Sequence, residues 1–411
     1  MPVPRRTLTI ADACGAIGEA GFGAAPAGIG LELEWFVTAD GAAVTEPARI
    51  RRAIDARGPL PHGSRITFEP GGQLEISTPP CATGAGAIHE TEIDAIEVKT
   101  RLADAGMQCI AIGLDAGAPR ARVIHEPRYR AMSDYFASRG AAGARMMCAT
   151  ASMQINVGFA RDLDAQWELA HDLAPILGAI FAHSPFVDGR PSGWQSTRLA
   201  VWAALDPFRT RPIAQRTNPR NDYTSYALDA PVMLIHSDGD CRVPESSLTL
   251  RTWIERGHPL GHPTLDDITY HLTTLFPPIR PRGWLELRTL DALPHPWWQV
   301  AAAITLAALT DPELGWELES MVRGCRNVGL NAAWWGVHDP ALGMTAVRVI
   351  DAVIPTLGAN GYGPELIATA HEFADRYTRR GRSPADDRLD EWAQSGALTP
   401  DPEPIPASVI R

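Results

Sequence analysis

Within Gly30-Leu-Glu-Leu-Glu34, Glu32 and Glu34 stand two residues apart, and in Trp284-Leu-Glu-Leu-Arg288 so do Glu286 and Arg288. A third stretch, RITFEPGGQLEIS (65–77), carries Glu69 and Glu75 on the two arms of a reversal at Pro70-Gly71-Gly72. In a fourth, TASMQINVGF (150–159), Thr150, Ser152, Gln154 and Asn156 alternate with Ala151, Met153, Ile155 and Val157. Residues two apart on a strand share a face, so each segment offers one apolar face and one of oxygen donors and acceptors. If the four belong to one sheet, Glu32, Glu34, Glu69, Glu75 and Glu286 gather on one surface. Two such charges ~4 Å apart repel by about 4 kcal/mol at an effective dielectric near 20. Protonation or a cation has to relieve that repulsion. An oxygen-only ligand set suits a hard ion, and a site shared with substrate phosphates is the usual setting of Mg²⁺.

One strand with alternating glutamates is ordinarily a solvated sheet face. Four such segments, one bent into a hairpin by Pro-Gly-Gly, are harder to explain that way. The elements that would position them alternate irregularly along the chain. Strand patterning covers 28–37, the two arms of 65–77, 107–115, 145–159, 231–237 and 283–290. Helical patterning covers roughly 84–105, 127–138, 163–182, 196–204 and 264–275. After Pro294 the pattern is almost wholly helical and ends in a Pro-rich tail, DPEPIPASVIR. The expected fold is α+β: one antiparallel sheet lining the active site, helices on its outer face and a helical C-terminal third. No linker forces a boundary, so residues 1–411 read as a single catalytic domain, with a sheet core of about 28–294 and a helical portion of about 295–395.

Composition narrows the chemistry. The chain of 411 residues is 45% apolar and 21% charged, with a net charge of −11, which argues against nucleic acid or an anionic membrane as partner. Lys99 is the only lysine. No Gly-Lys-Ser/Thr phosphate loop exists, and Schiff-base chemistry would rest on a residue that reads as part of an exposed helix. The six cysteines form no CxxC pair, as expected of reduced thiols in a cytoplasmic protein. Acidic residues interrupt any apolar run near the N-terminus, and Trp297–Leu309 is too short to span a bilayer. His258 and His262 are separated by Pro259 and Gly261 and read as loop; His125, His171, His183 and His271 read as structural. Gly21-Phe22-Gly23 reads as a turn, and Trp297-Trp298 as helix-start packing.

Taken in order, GLELE, ITFEPGGQLEIST, TASMQINVGF, GWQSTRLAVWAALDPFR, SYALDAPVM and TTLFPPIRPRGWLELRTLD resemble the plant-type glutamate–cysteine ligases. They are most similar to the actinobacterial branch assigned to ergothioneine biosynthesis. The resemblance spans about residues 28–294. It implies a glutamine-synthetase-like sheet that binds ATP, two or three Mg²⁺, L-glutamate and L-cysteine and makes γ-glutamylcysteine through γ-glutamyl phosphate. It assigns Glu32, Glu34, Glu69, Glu75 and Glu286 to metal, with Gln154 where related ligases place a histidine ligand. Arg288 falls on the transferring phosphoryl group, with Gln154 and Asn156 beside the nucleotide, and Arg198, Trp202 and Thr150 beside the amino-acid substrate. Asn156 equally suits a strand hydrogen bond, and Trp202 suits core packing. Thr289-Leu290-Asp291 replaces the family's Gly-Ala-Asp, and Asp222 stands where an arginine often precedes the Tyr-x-x-Tyr-Ala-Leu-Asp motif, with Arg220 two residues earlier. Two alternatives remain on the residues alone: a ligase of this fold with another amine acceptor, or a non-catalytic metal- or ligand-binding protein.

Overall fold

The computed structural model describes residues 7–23, 28–40, 42–44, 46–117, 120–160, 162–237, 239–244, 248–398 and 402–404. Its main sheet is antiparallel throughout. Besides a two-residue strand at Ala42–Ala43 that pairs with the end of β1, its strands are β1 (Ile29–Ala39), β2 (Arg65–Phe68), β3 (Leu74–Ser77), β4 (Gln108–Ile110), β5 (Ser152–Val157), β6 (Ile279–Pro281) and β7 (Leu285–Asp291). Their order is β6-β7-β5-β1-β3-β2, and β4 pairs with the far end of β1.

Register does what alternation requires. Glu32 lies opposite Gln154, Glu34 opposite Glu75, and Glu286 opposite both Asn156 and Arg280. The odd-numbered side of β1 and β5 (Leu31, Leu33, Trp35, Met153, Ile155, Val157) is buried, as are Leu74 and Ile76 of β3 and Leu285 and Leu287 of β7. That apolar face packs on helices α1 (Gly84–Asp104), α4 (Leu163–Ile180) and α6 (Trp297–Thr310). The other face is roofed in part by α2 (Pro127–Ala137), α3 (Ala142–Ala149) and α5 (Thr197–Ala203), whose residues Met132, Met146, Met147 and Trp202 line the enclosed cleft. From Trp297 onward the described chain is helical through Pro384–Ser395, and the apolar core continues from Ala13 to Tyr377.

Four expectations are corrected. Residues 145–149 form the end of α3 instead of a strand: Gly143, Met146 and Met147 share a buried helical face, and the strand starts only at Ser152. Of 107–115 only Gln108–Ile110 is strand, and of 231–237 only Ile235–Ser237. Lys99 is not exposed. Its side chain is 3% accessible and pairs at 2.8 Å with Glu403, itself 1% accessible. Of the Pro-rich tail, 401 and 405–411 lie outside the described residues.

Candidate active site

The Pro70-Gly71-Gly72 reversal sets the first part of the site. Gly72 has φ +88°, a region that glycine adopts without strain, and its N–H donates to the Glu69 carbonyl at 2.8 Å. Gly71 lies so close to α3 that a Cβ there would stand 2.5 Å from the Cα and carbonyl oxygen of Cys148. Glu69 and Glu75 therefore leave the turn toward β1, and carboxylate oxygens of Glu34, Glu69 and Glu75 all lie within 4.8 Å of one another. Glu34 accepts from the Ser152 N–H (2.8 Å), the Ser152 hydroxyl (2.7 Å) and Gln154 Nε2 (3.2 Å). Glu75 accepts from Thr67 and Ser77 hydroxyls at 2.7 and 2.9 Å.

Burial, before any other cause, raises the pKa of all three carboxyls, and Glu34 and Glu75 act on Glu69 to push it well above the carboxylate range. Glu32 is raised to about 7, by burial first and then by Glu286 and Glu75, against the 2.9 Å hydrogen bond it accepts from Asn156 Nδ2. Glu286 is the exception. Burial works to raise it, but Arg280, Arg288 and Arg282 outweigh burial and hold it far below the usual range. The face thus carries one carboxylate already neutralised by arginine and four that are not. Three of those four offer clustered hard oxygen donors, a set that fits a divalent cation.

Around the carboxylates the cleft, ≈ 250 Å³, is lined by Arg65, Arg128, Arg198, Arg280, Arg282 and Arg288. Arg288 bridges Gln154 Oε1 and Glu286, and its guanidinium lies 5.6 Å from the Trp202 ring. Arg198 is buried on α5, which Ser196 caps. Its Nη2 donates to the Arg288 carbonyl at 2.9 Å and its Nη1 lies 3.7 Å from Asp291. Its Nε and Nη1 have no hydrogen-bond partner among the described residues. Asp291 in turn accepts from the Ser184 and Ser196 hydroxyls and the His183 N–H, fixing the start of α5 to the end of β7.

The sequence matches the family model described as glutamate-cysteine ligase family 2 over residues 28–398. The chain belongs to that family. The ligase is 36% identical over 381 residues to the glutamate–cysteine ligase EgtA of Mycobacterium tuberculosis, covering 90% of this chain and 87% of that one. The EgtA of Mycolicibacterium smegmatis is 36% identical over 347 residues, 82% of this chain and 80% of its own. A chloroplastic glutamate–cysteine ligase of Medicago truncatula is 28% identical over 358 residues, 80% and 69% respectively. In fold, the ligase is similar to the glutamate–cysteine ligase of Francisella tularensis solved with AMP (TM-score 0.54, 12% identity, 90% of this chain and 86% of that one). The shared fold is the glutamine-synthetase-like one.

Measured against the residues singled out from sequence, the ligase brings together Glu32, Glu34, Glu69, Glu75, Glu286, Gln154, Thr150, Arg198, Trp202 and Arg288 around one cleft. Asn156 stands one step behind, donating to Glu32 and accepting from Trp284 Nε1 at 2.7 Å. The Thr150 hydroxyl is taken by the Met146 carbonyl at 2.7 Å. Sequence reasoning missed Arg280 and Arg282. The signal was present: a tight reversal in IRPRGWLELR sets Arg280 directly across from Glu286. It also missed Arg65, Arg128 and Tyr129: the periodicity of 65–77 and 127–138 marked a strand and a helix but not which of their side chains reach the cleft. Gln73, in the same hairpin, is 1% exposed and holds it to the Thr150 carbonyl at 2.8 Å.

Proposed function

We propose that the ligase, working as a single catalytic domain, joins the γ-carboxylate of L-glutamate to the amine of L-cysteine in this cleft, with ATP consumed through γ-glutamyl phosphate. The observation that carries the reading is the meeting of Glu34, Glu69 and Glu75 from separate strands beside an arginine-lined cleft. Glu34, Glu69 and Glu75 would hold one Mg²⁺, and Glu32 with Gln154 and Glu286 a second. Bound there, Mg²⁺ supplies neutralisation of phosphate charge and a template for in-line transfer. The chain's own residues do the rest. Arg198, with two unsatisfied guanidinium nitrogens, grips a glutamate carboxylate. Arg288, splinted by Gln154, Glu286 and Trp202, presents its fork to the phosphoryl group as negative charge shifts toward ADP. Asn156 orients Glu32, and the methionines and Trp202 exclude water that would hydrolyse an acyl phosphate. The core shared from Ala13 to Tyr377 supports one catalytic unit. Ergothioneine synthesis, the pathway implied by the resemblance to the actinobacterial branch, is the one we assign.

The direct test is to mix the pure ligase with Mg²⁺, ATP, glutamate and cysteine and to detect the dipeptide by mass. Product and ADP appear together if the reading holds. ADP release with no dipeptide, or none at all, sinks it. Product formed equally well with unrelated amines points to a different acceptor.

A further inference from the structure

The lining that roofs the carboxylate cleft has an apolar core of its own. Met132, Tyr135 and Phe136 of α2, Met146 and Met147 of α3 and Val201 of α5 form a cluster separate from the core beneath the sheet, and Trp202 and Phe276 pack against it. Tyr135 joins this cluster to a buried ionic node. Asp206, which caps the short helix Pro207–Thr210, accepts from the Tyr135 hydroxyl at 2.6 Å and pairs with Arg209 Nε at 3.2 Å. Arg209 is wholly buried. Its Nη1 donates to the Thr274 carbonyl at 3.0 Å and the Thr274 hydroxyl at 2.8 Å, and its Nη2 donates to the Pro231 carbonyl. Its own carbonyl accepts the Phe276 N–H at 2.8 Å. The Arg139 guanidinium lies 3.6 Å from the centroid of the Tyr135 ring, with Nε 3.9 Å from Asp206.

Tyr135, Asp206 and Arg209 are not among the residues that line the cleft, yet the segments they tie together supply many that are. From α2 come Arg128, Tyr129 and Met132; from the helix just before Asp206, Trp202; from the segment gripped by Arg209, Thr273 and Phe276. A buried ion pair adds little net stability over apolar side chains of the same volume, whereas its hydrogen bonds tolerate only a narrow geometry. What such a node supplies to the roof is position.

We propose that Tyr135, Asp206 and Arg209 are positioning residues that hold this roof closed over the γ-glutamyl phosphate, so that it meets the acceptor amine and not water. The inference rests on the ligase reading and adds which side chains couple ATP use to dipeptide formation. In the reaction the roof prevents, a water oxygen bonds to the γ-carbonyl carbon and the bond from that carbon to the phosphate oxygen breaks. Phosphate leaves with the electron pair and takes a water proton. Glutamate is regenerated, ATP has become ADP, and nothing is oxidised or reduced. A roof that stands off the cleft admits that water without altering any group that touches substrate.

Tyr135→Phe keeps the ring and removes the hydroxyl that reaches Asp206; Thr274→Val loosens Arg209 from the opposite side. The readout is the leak, ADP released with Mg²⁺, ATP and glutamate present and cysteine omitted. Each variant is expected to raise the leak about tenfold, the size of effect from losing a hydrogen bond to a charged group, and to form more than one ADP per dipeptide once cysteine is added. Tyr377→Phe is the control: it deletes a phenol hydrogen bond of the same kind, 2.7 Å to Asp387, in the helical portion and outside the cleft. It should melt lower and keep the wild-type leak. A leak in either roof variant no greater than that of Tyr377→Phe overturns the assignment, because the node then adds only stability. A wild-type enzyme that forms no dipeptide overturns the ligase reading itself.

Discussion

Arg288 is the residue on which the phosphoryl-transfer proposal turns. It sits two positions from Glu286 on one strand face, and its guanidinium is held from three sides. Arg288→Ala should lower kcat by ~10²–10³, the size of loss seen when one preorganised donor to developing charge is removed, with an unchanged circular dichroism spectrum. Glu32 leads to a prediction about pH. Its folded pKa, near 7, lies above that of the unfolded chain, so the metal-free protein binds protons more tightly folded than unfolded. Glu34, Glu69 and Glu75 shift the same way. Their ionisation therefore costs stability as pH rises from about 4.5 through 7, and none of that cost is present below the unfolded value. In chelator, Tm should climb as pH falls from 7.5 to 5. Saturating Mg²⁺ should raise Tm most at the alkaline end and flatten the slope. A Tm in chelator that falls with acid over this range would contradict a site built from uncompensated carboxylates.

At the scale of elements, the hairpin is the part with least room for change. Gly71 touches the backbone of α3, and Gln73 ties the same turn to Thr150. Gly71→Ala should destabilise by about 1–3 kcal/mol through overpacking. It should also weaken the Mg²⁺ dependence of activity, because the turn that carries Glu69 has to back away from Cys148. Denaturant melts combined with a Mg²⁺ titration separate the two effects. Period-two alternation made β1, the hairpin, β5 and β7 legible, down to which residues share the wet face. It failed at 145–149, where Met146, Met147 and Cys148 form a run of apolar residues short enough to be read as either strand or helix. There the contact with the hairpin and α5 decided for helix.

Across the whole molecule, the C-terminal tail returns to the core. Glu403 receives Lys99 Nζ at 2.8 Å and the His295 N–H at 2.8 Å, and its own N–H donates to the Cys109 carbonyl at 2.8 Å. Cys109 belongs to β4, which pairs with β1, so the tail clamps α1, the start of the helical portion and the sheet in one contact. Removing one partner of a buried pair strands the other charge, and Glu403→Ala should cost about 3–5 kcal/mol in urea unfolding. The Lys99→Met, Glu403→Leu double variant should recover most of that loss, since two apolar groups leave no charge unpaired. No helix among the described residues is long and apolar enough to cross a membrane.

Alternation, the hairpin turn, the five carboxylates and two of the cleft's arginines, Arg198 and Arg288, were legible in the chain alone, because strand period and turn chemistry are local properties written in neighbouring residues. It also carried the family, through an ordered set of such segments. Only the tertiary structure decided which glutamate is neutralised by arginine and which three crowd together, since charge balance depends on groups that lie far apart in the chain. Burial works the same way. It turned the single lysine from a surface residue into the core's anchor, and it left His171, read as structural, with Nε2 buried and without a hydrogen-bond partner among the described residues.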